Sequence, residues 1–106
     1  AVRVHGMAHI TGGGLSENLP RVIPDGLEAL INPHAWERPA VFDWLQRAGT
    51  IENDEMYRTF NCGIGMTITV GAEYLATALD ILRAAGEVPV VIGEVRRGNG
   101  GVVLLG

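Results

Sequence analysis

At 106 residues the chain has the length of one domain, and with 47% hydrophobic residues it can bury a core, which argues against disorder. A net charge of −4 with no run of Lys or Arg excludes a nucleic-acid footprint. No apolar stretch approaches the roughly 20 residues that span a bilayer, Arg3 and His5 interrupt any secretory leader, and the single cysteine, Cys62, excludes an internal disulfide and fits a reducing cytosol.

Residues 4–11 read as a strand or an irregular approach to one, with Val4, Met7, Ala8 and Ile10 apolar. The triplet Gly12-Gly13-Gly14 makes a turn, and a short helix is predicted over about 15–21. Pro24-Asp25-Gly26 is a turn signal and 27–32 a short strand. Pro39 suits the first position of a helix carrying Val41, Trp44, Leu45 and Ala48 at helical spacing, with Gly49 as its stop and Arg47 favourable to its dipole. A second short helix, 54–58, takes Asn53 as N-cap. From 63 to 70 the chain alternates, with Ile64, Met66, Ile68 and Val70 on one face and Gly63, Gly65, Thr67 and Thr69 on the other, as in a strand with one apolar face. The clearest helix runs over 72–85, with Leu75, Ala78, Leu79 and Leu82 as its buried stripe and Gly86 as its end. A proline-led strand over 89–95, the turn signal Asn99-Gly100 and a return strand over 102–105 complete a hairpin. Helices layered on a mixed sheet follow, an α+β (α/β layered) fold.

The glycine turn organises the chemistry. Glycine allows positive φ and close approach of a ligand to the backbone. A turn that opens a helix directs unpaired N–H groups and the positive end of the dipole one way, and a phosphate suits them. His9, Thr11, Ser16, Glu17, Asn18 and Arg21 flank it. His9 reads as a polar wall of this anion site or as a hydrogen-bonded buried histidine. Arg21 faces the anion or caps its own helix. His5, His9 and His34 do not read as a metal site, because the spacing of His5 and His9 would share a face only on a helix. Asn61, at the start of the glycine-containing strand, reads as facing a ligand, whereas its glycines read as close backbone packing. Cys62 has no neighbouring His or Lys to activate it. Glu52, Asp54 and Glu55 suit a solvated helix start, and Trp36, Phe42, Trp44 and Phe60 read as core.

Three segments carry a resemblance. His9-Ile10-Thr11-Gly12-Gly13-Gly14-Leu15-Ser16-Glu17-Asn18-Leu19-Pro20-Arg21-Val22 is similar to one signature of the aminoimidazole ribonucleotide synthetases, or phosphoribosylformylglycinamidine cyclo-ligases. Asp54-Glu55-Met56-Tyr57-Arg58-Thr59-Phe60-Asn61-Cys62-Gly63-Ile64-Gly65-Met66 is similar to a second, and Ile92-Gly93-Glu94-Val95 also fits. The resemblance runs in order along essentially the whole chain.

It implies an enzyme of purine biosynthesis in which ATP activates the formyl oxygen of formylglycinamidine ribonucleotide, a nitrogen closes the imidazole ring, and ADP and phosphate leave. It further implies a cytoplasmic, magnesium-dependent homodimer whose amino-terminal domain carries most ATP and metal ligands. Its carboxy-terminal domain is layered, and the active site lies in the cleft between the two. The present residues resemble roughly the last third of that length, as one partial domain over 1–106, with no counterpart of the ATP-binding lysine or magnesium-binding aspartates. Ala1 is preceded by no methionine, which fits a piece of a longer protein. On this reading Gly12, Gly13 and Gly14 hold the ribonucleotide phosphate, Thr11, Ser16 and Asn18 add hydrogen bonds, and His9 and Asn61 line the cleft; catalytic residues and metal ligands are not assigned. The alternatives are a non-catalytic phosphate-binding or assembly module, or another member of the wider superfamily. Apolar surface that would pack on the missing domain is expected to be uncovered or buried in another copy.

Overall fold

The computed structural model describes residues 2–105. Its sheets are two. Strand β1 (Val4–His9) pairs antiparallel with β3 (Met66–Val70). Strand β2 (Leu27–Ile31) lies between β4 (Gly93–Arg97), antiparallel to it, and β5 (Val102–Leu104), parallel to it. Helices α1 (Gly14–Asn18), α2 (Ala40–Gly49), α3 (Asn53–Thr59) and α4 (Leu75–Ala84) complete a mixed α+β architecture, with short 3-10 turns at Leu19–Val22, Pro33–Ala35 and Ala72–Tyr74.

The core sits where β1, α1, β2 and α3 meet. Ala8, Ile10, Leu15, Leu19, Ala29, Ile31, Met56, Tyr57 and Cys62 are buried there. Phe42 and Phe60 close one side, their ring centroids 6.1 Å apart. Period-two alternation explains why Ala8 and Ile10 point inward while Met7 and His9 point out.

Several expected details change. The hairpin over 89–105 does not form, because β2 takes the place between its two strands. The chain leaves β4 at Arg97 and crosses the start of β2, where Gly98 N–H donates to Gly26 O at 3.0 Å and Ala29 N–H to Gly101 O at 3.0 Å. Two inter-strand spacings are about 9.5 Å, which four residues can span. The buried Glu28 holds this crossing by accepting from Asn99 N–H at 3.3 Å and from Arg96 at 3.1 Å.

The stop of α2 also moves by one residue. Gly49 is the last helical residue, and the left-handed position falls on Thr50, with φ 52°. Ile51 packs against the core, and the Gln46 side chain donates to Ile51 O at 3.0 Å and to Asn53 Oδ1 at 2.9 Å, so the chain past Thr50 is fixed from both sides. That bond also takes up the Asn53 carboxamide oxygen, and Glu52 is the N-cap of α3 instead. Pro39 likewise sits one place earlier than expected, as the N-cap of α2.

Three apolar faces expected inside are open. Helix α2 packs Phe42 against the core, keeps Leu45 half-buried and leaves Val41 and Trp44 at 54% and 60% exposure, so Trp44 is not core. In β3 the thin face is the buried one. Thr67 faces inward opposite Ala8, and Met66 and Ile68 face out beside Met7 and Val4. No residue of α4 is buried. Its stripe of Leu75, Ala78, Leu79 and Leu82 lines a groove of about 1180 Å³ that also borders β3 and residues 87–95.

Candidate functional site

The two signature segments meet at one end of the β1–β3 pair. Beyond His9 the ladder continues as Ile10 N–H donating to Gly65 O at 2.9 Å, which brings residues 60–65 beside the glycine turn. A Cβ on Gly14, where φ is 60°, would overlap the carbonyl oxygens of Tyr57 and Phe60. Glycine is thus required at 14 for α1 to pack on the end of α3, and that packing joins the turn to the loop carrying Asn61.

The three glycines have different tasks. The Gly14 N–H donates to Thr11 O at 3.0 Å, so it faces into the turn and not toward an anion. Gly13 has φ 99° and its carbonyl accepts from Glu17 N–H at 3.2 Å. Gly12 is exposed, and a Cβ there would meet no atom within 4 Å. Among the described residues the N–H groups of Gly12 and Gly13 have no acceptor, which leaves them as the turn's donors.

Asn18 works from beneath. It is 4% exposed, and its Nδ2 donates to Thr11 O at 3.2 Å, Gly12 O at 3.2 Å and Gly14 O at 2.9 Å. Its Oδ1 accepts from the Thr11 hydroxyl at 3.3 Å. The expectation that this amide reaches an anion is corrected here. Buried and saturated by the turn's own carbonyls, it braces the loop. Thr11 is exposed and Ser16 half-buried, both beside the turn. His9 is exposed, which removes the buried-histidine alternative and leaves it as an open wall at the end of β1. Arg21 lies in the last turn of the 3-10 segment whose Val22 packs on Gly6, three residues up β1 from His9, and it is exposed.

Asn61 opens a tight turn. Its Oδ1 accepts from Gly63 N–H at 2.8 Å, and Cys62 adopts φ 52°. The Trp36 side chain holds that turn, and Arg38 packs on the Tyr57 ring beside it. The Trp36 indole N–H donates to Cys62 O at 3.0 Å, and the ring stands edge-on to Tyr57. Arg38 lies 5.9 Å over the Tyr57 ring and donates to Asp43 at 2.9 Å and to Gln46 at 2.6 Å. Burial pulls the Arg38 pKa down, but the Asp43 hydrogen bond with the fields of Tyr57 and Asp43 raises it overall. Burial pushes the Cys62 thiol up, against the pull of Arg38, so the thiol is protonated and donates to Met56 O at 3.6 Å. A nucleophilic role for it has no support. No local pattern announces a pairing between residues 26 positions apart such as Trp36 and Cys62.

Among the described residues no three His, Cys, Asp or Glu side chains gather as metal ligands, and no helix is long and apolar enough to cross a membrane. The eight residues counted as Lys or Arg are all arginines. Among the described residues, then, no gathered donor set fits a magnesium ion.

The α+β domain thus joins a glycine turn and an Asn-led turn at one sheet end. The family model described as "AIR synthase related protein, C-terminal domain" matches residues 1–106, and the chain belongs to this family. Similar curated proteins carry the name phosphoribosylformylglycinamidine cyclo-ligase. That of Chromobacterium violaceum is 55% identical over 92% of this chain and 28% of its own length. That of Methylobacillus flagellatus is 52% identical over 95% of this chain and 29% of its own length, and that of Nitrosospira multiformis 50% identical over 90% and 27%. The chain thus spans between a quarter and a third of the relatives it matches.

Proposed function

We propose that the chain is the carboxy-terminal part of an ATP-dependent ligase that cyclises formylglycinamidine ribonucleotide to aminoimidazole ribonucleotide in purine biosynthesis. The observation that carries this reading is 50–55% identity to proteins of that name over nine-tenths of the chain. The meeting of both signature segments at one sheet end supports it.

The residues divide by task. The Gly12 and Gly13 N–H groups and the Ser16 hydroxyl bind the ribonucleotide phosphate, and the Thr11 hydroxyl joins them by turning from Asn18 Oδ1 to the anion, while Asn18 fixes the carbonyls behind them. Two or three such charge-assisted bonds, at about 1.5–3 kcal/mol each, give millimolar anchoring after ordering costs. His9 and the Asn61 Nδ2 wall the cleft, and Gly14 holds the two loops together. ATP with magnesium, held by the remainder of the protein, supplies activation of the formyl oxygen. In this reading residues 1–106 are one partial domain, and the whole protein is a cytoplasmic homodimer whose amino-terminal domain completes the site.

The test is turnover. The full-length protein should form ADP and aminoimidazole ribonucleotide from formylglycinamidine ribonucleotide, and the 106-residue chain alone should not. Robust cyclisation by the isolated chain would refute the division of labour, and a different product from the full-length protein would overturn the reaction.

A further inference from the structure

We propose that Trp36 is a positioning residue for the substrate cleft, acting through the Asn61 turn. The proposal rests on the reading above that Asn61 lines that cleft.

The Asn61 turn carries backbone strain. Cys62 is a non-glycine residue at φ 52°, a left-handed conformation that persists only where the surroundings impose it. Its buried side chain packs in the core, but the thiol adds little directional hold, with only a weak contact to Met56 O at 3.6 Å. The clamp is the peptide on its carbonyl side. Trp36 donates its indole N–H to Cys62 O at 3.0 Å, and the next residue, Gly63, lies so close to the same segment that a Cβ would stand 2.6 Å from Pro39 Cδ. The indole itself is held edge-on by Tyr57, with centroids 6.4 Å apart and an interplanar angle of 88°, and Tyr57 belongs to α3 on which the glycine turn packs. One ring therefore references the Asn61 turn to the helix that also references the phosphate turn.

The consequence for Asn61 is direct. Its Oδ1 is taken by Gly63 N–H at 2.8 Å, so the orientation of its Nδ2 depends on where the Cys62–Gly63 peptide stands. Without the indole donor, Cys62 O loses its partner, the left-handed turn can relax, and Asn61 swings with it. Trp36→Phe removes the N–H and keeps an aromatic ring against Tyr57, which makes it the informative variant.

The experiment uses the full-length enzyme, with Trp36→Phe, Asn61→Ala and the double variant. Trp36→Phe should raise KM for the ribonucleotide about tenfold and leave KM for ATP within about twofold. In the Asn61→Ala background the same change should add almost nothing, since a residue acting through Asn61 has no further effect once that side chain is gone. A second measurement needs no folded variant: the Trp36 indole N–H resonance of the unaltered protein should shift on saturation with ribonucleotide. Unchanged ribonucleotide KM, full additivity in the double variant, or an unmoved indole resonance would each overturn the proposal. If Asn61→Ala alone leaves the kinetics unchanged, the placement of Asn61 in the cleft fails, and the proposal falls with it by a separate result.

Discussion

Replacing Gly14 by Ala tests the junction of the two signature segments. At φ 60° a Cβ costs about 1–2 kcal/mol. The same Cβ overlaps the Tyr57 and Phe60 carbonyls, so α1 must lift from α3, and overpacking of this kind costs roughly 1–3 kcal/mol more. Backbone atoms cannot swing aside as a side chain would. A total of about 2–5 kcal/mol is a large share of the roughly 5–15 kcal/mol that holds a domain together. Thermal unfolding of the full-length protein should show this domain's transition about 10 °C lower or more. Gly12→Ala is the paired control for stability. It meets open space and has no positive φ, so its midpoint should stay within the effect of about 0.5 kcal/mol typical of surface changes. Gly14→Ala with an unchanged midpoint would refute the described packing of α1 on α3.

Three further outcomes follow from the same geometry. Asn18→Asp sets a carboxylate against three carbonyl oxygens, so unfolding should occur earlier by about 2–4 kcal/mol at pH 7 and partly recover near pH 5, where the protonated acid can donate; a pH-independent midpoint would contradict the brace. Burial raises the Cys62 pKa, so the stability it contributes is complete below the unfolded thiol value of about 8.5 and is lost as pH rises through the folded value; denaturant midpoints from pH 7.5 to 10 should fall, less steeply in Cys62→Ala, and a thiol reagent should react only on unfolding. The open apolar face of Met7, Met66 and Ile68 should make the isolated chain self-associate in light scattering, and Met7→Lys with Ile68→Lys should suppress it; a clean monomer at high concentration before any substitution would count against that exposure.

Local chemistry was legible and long-range placement was not. Turn residues such as Pro24-Asp25-Gly26 and the alternation around Ala8 and Ile10 placed β1 and β2 to within a residue or two. Periodicity identifies an apolar face but not what covers it. The stripe of α4 and the outer face of β3 are apolar as expected, yet in this chain they border a groove. The false hairpin has the same origin. Asn99-Gly100 marks a reversal, but β4 and β5 flank β2 instead of pairing with each other, and the crossing between them is tied to Glu28, seventy-one residues from Asn99. At the site, the glycine triplet was visible as a turn, whereas the separate tasks of Gly12 and Gly14 depend on the distant carbonyls of α3. Asn18 looked like a ligand because it is polar and adjacent; its burial, invisible in the sequence, makes it a brace.

The most direct measurement is a crystal structure of the full-length protein with formylglycinamidine ribonucleotide bound. Phosphate density within hydrogen-bond distance of the Gly12 and Gly13 amides, with the base beside Asn61, is the predicted result. Phosphate density remote from residues 11–16 would contradict the account.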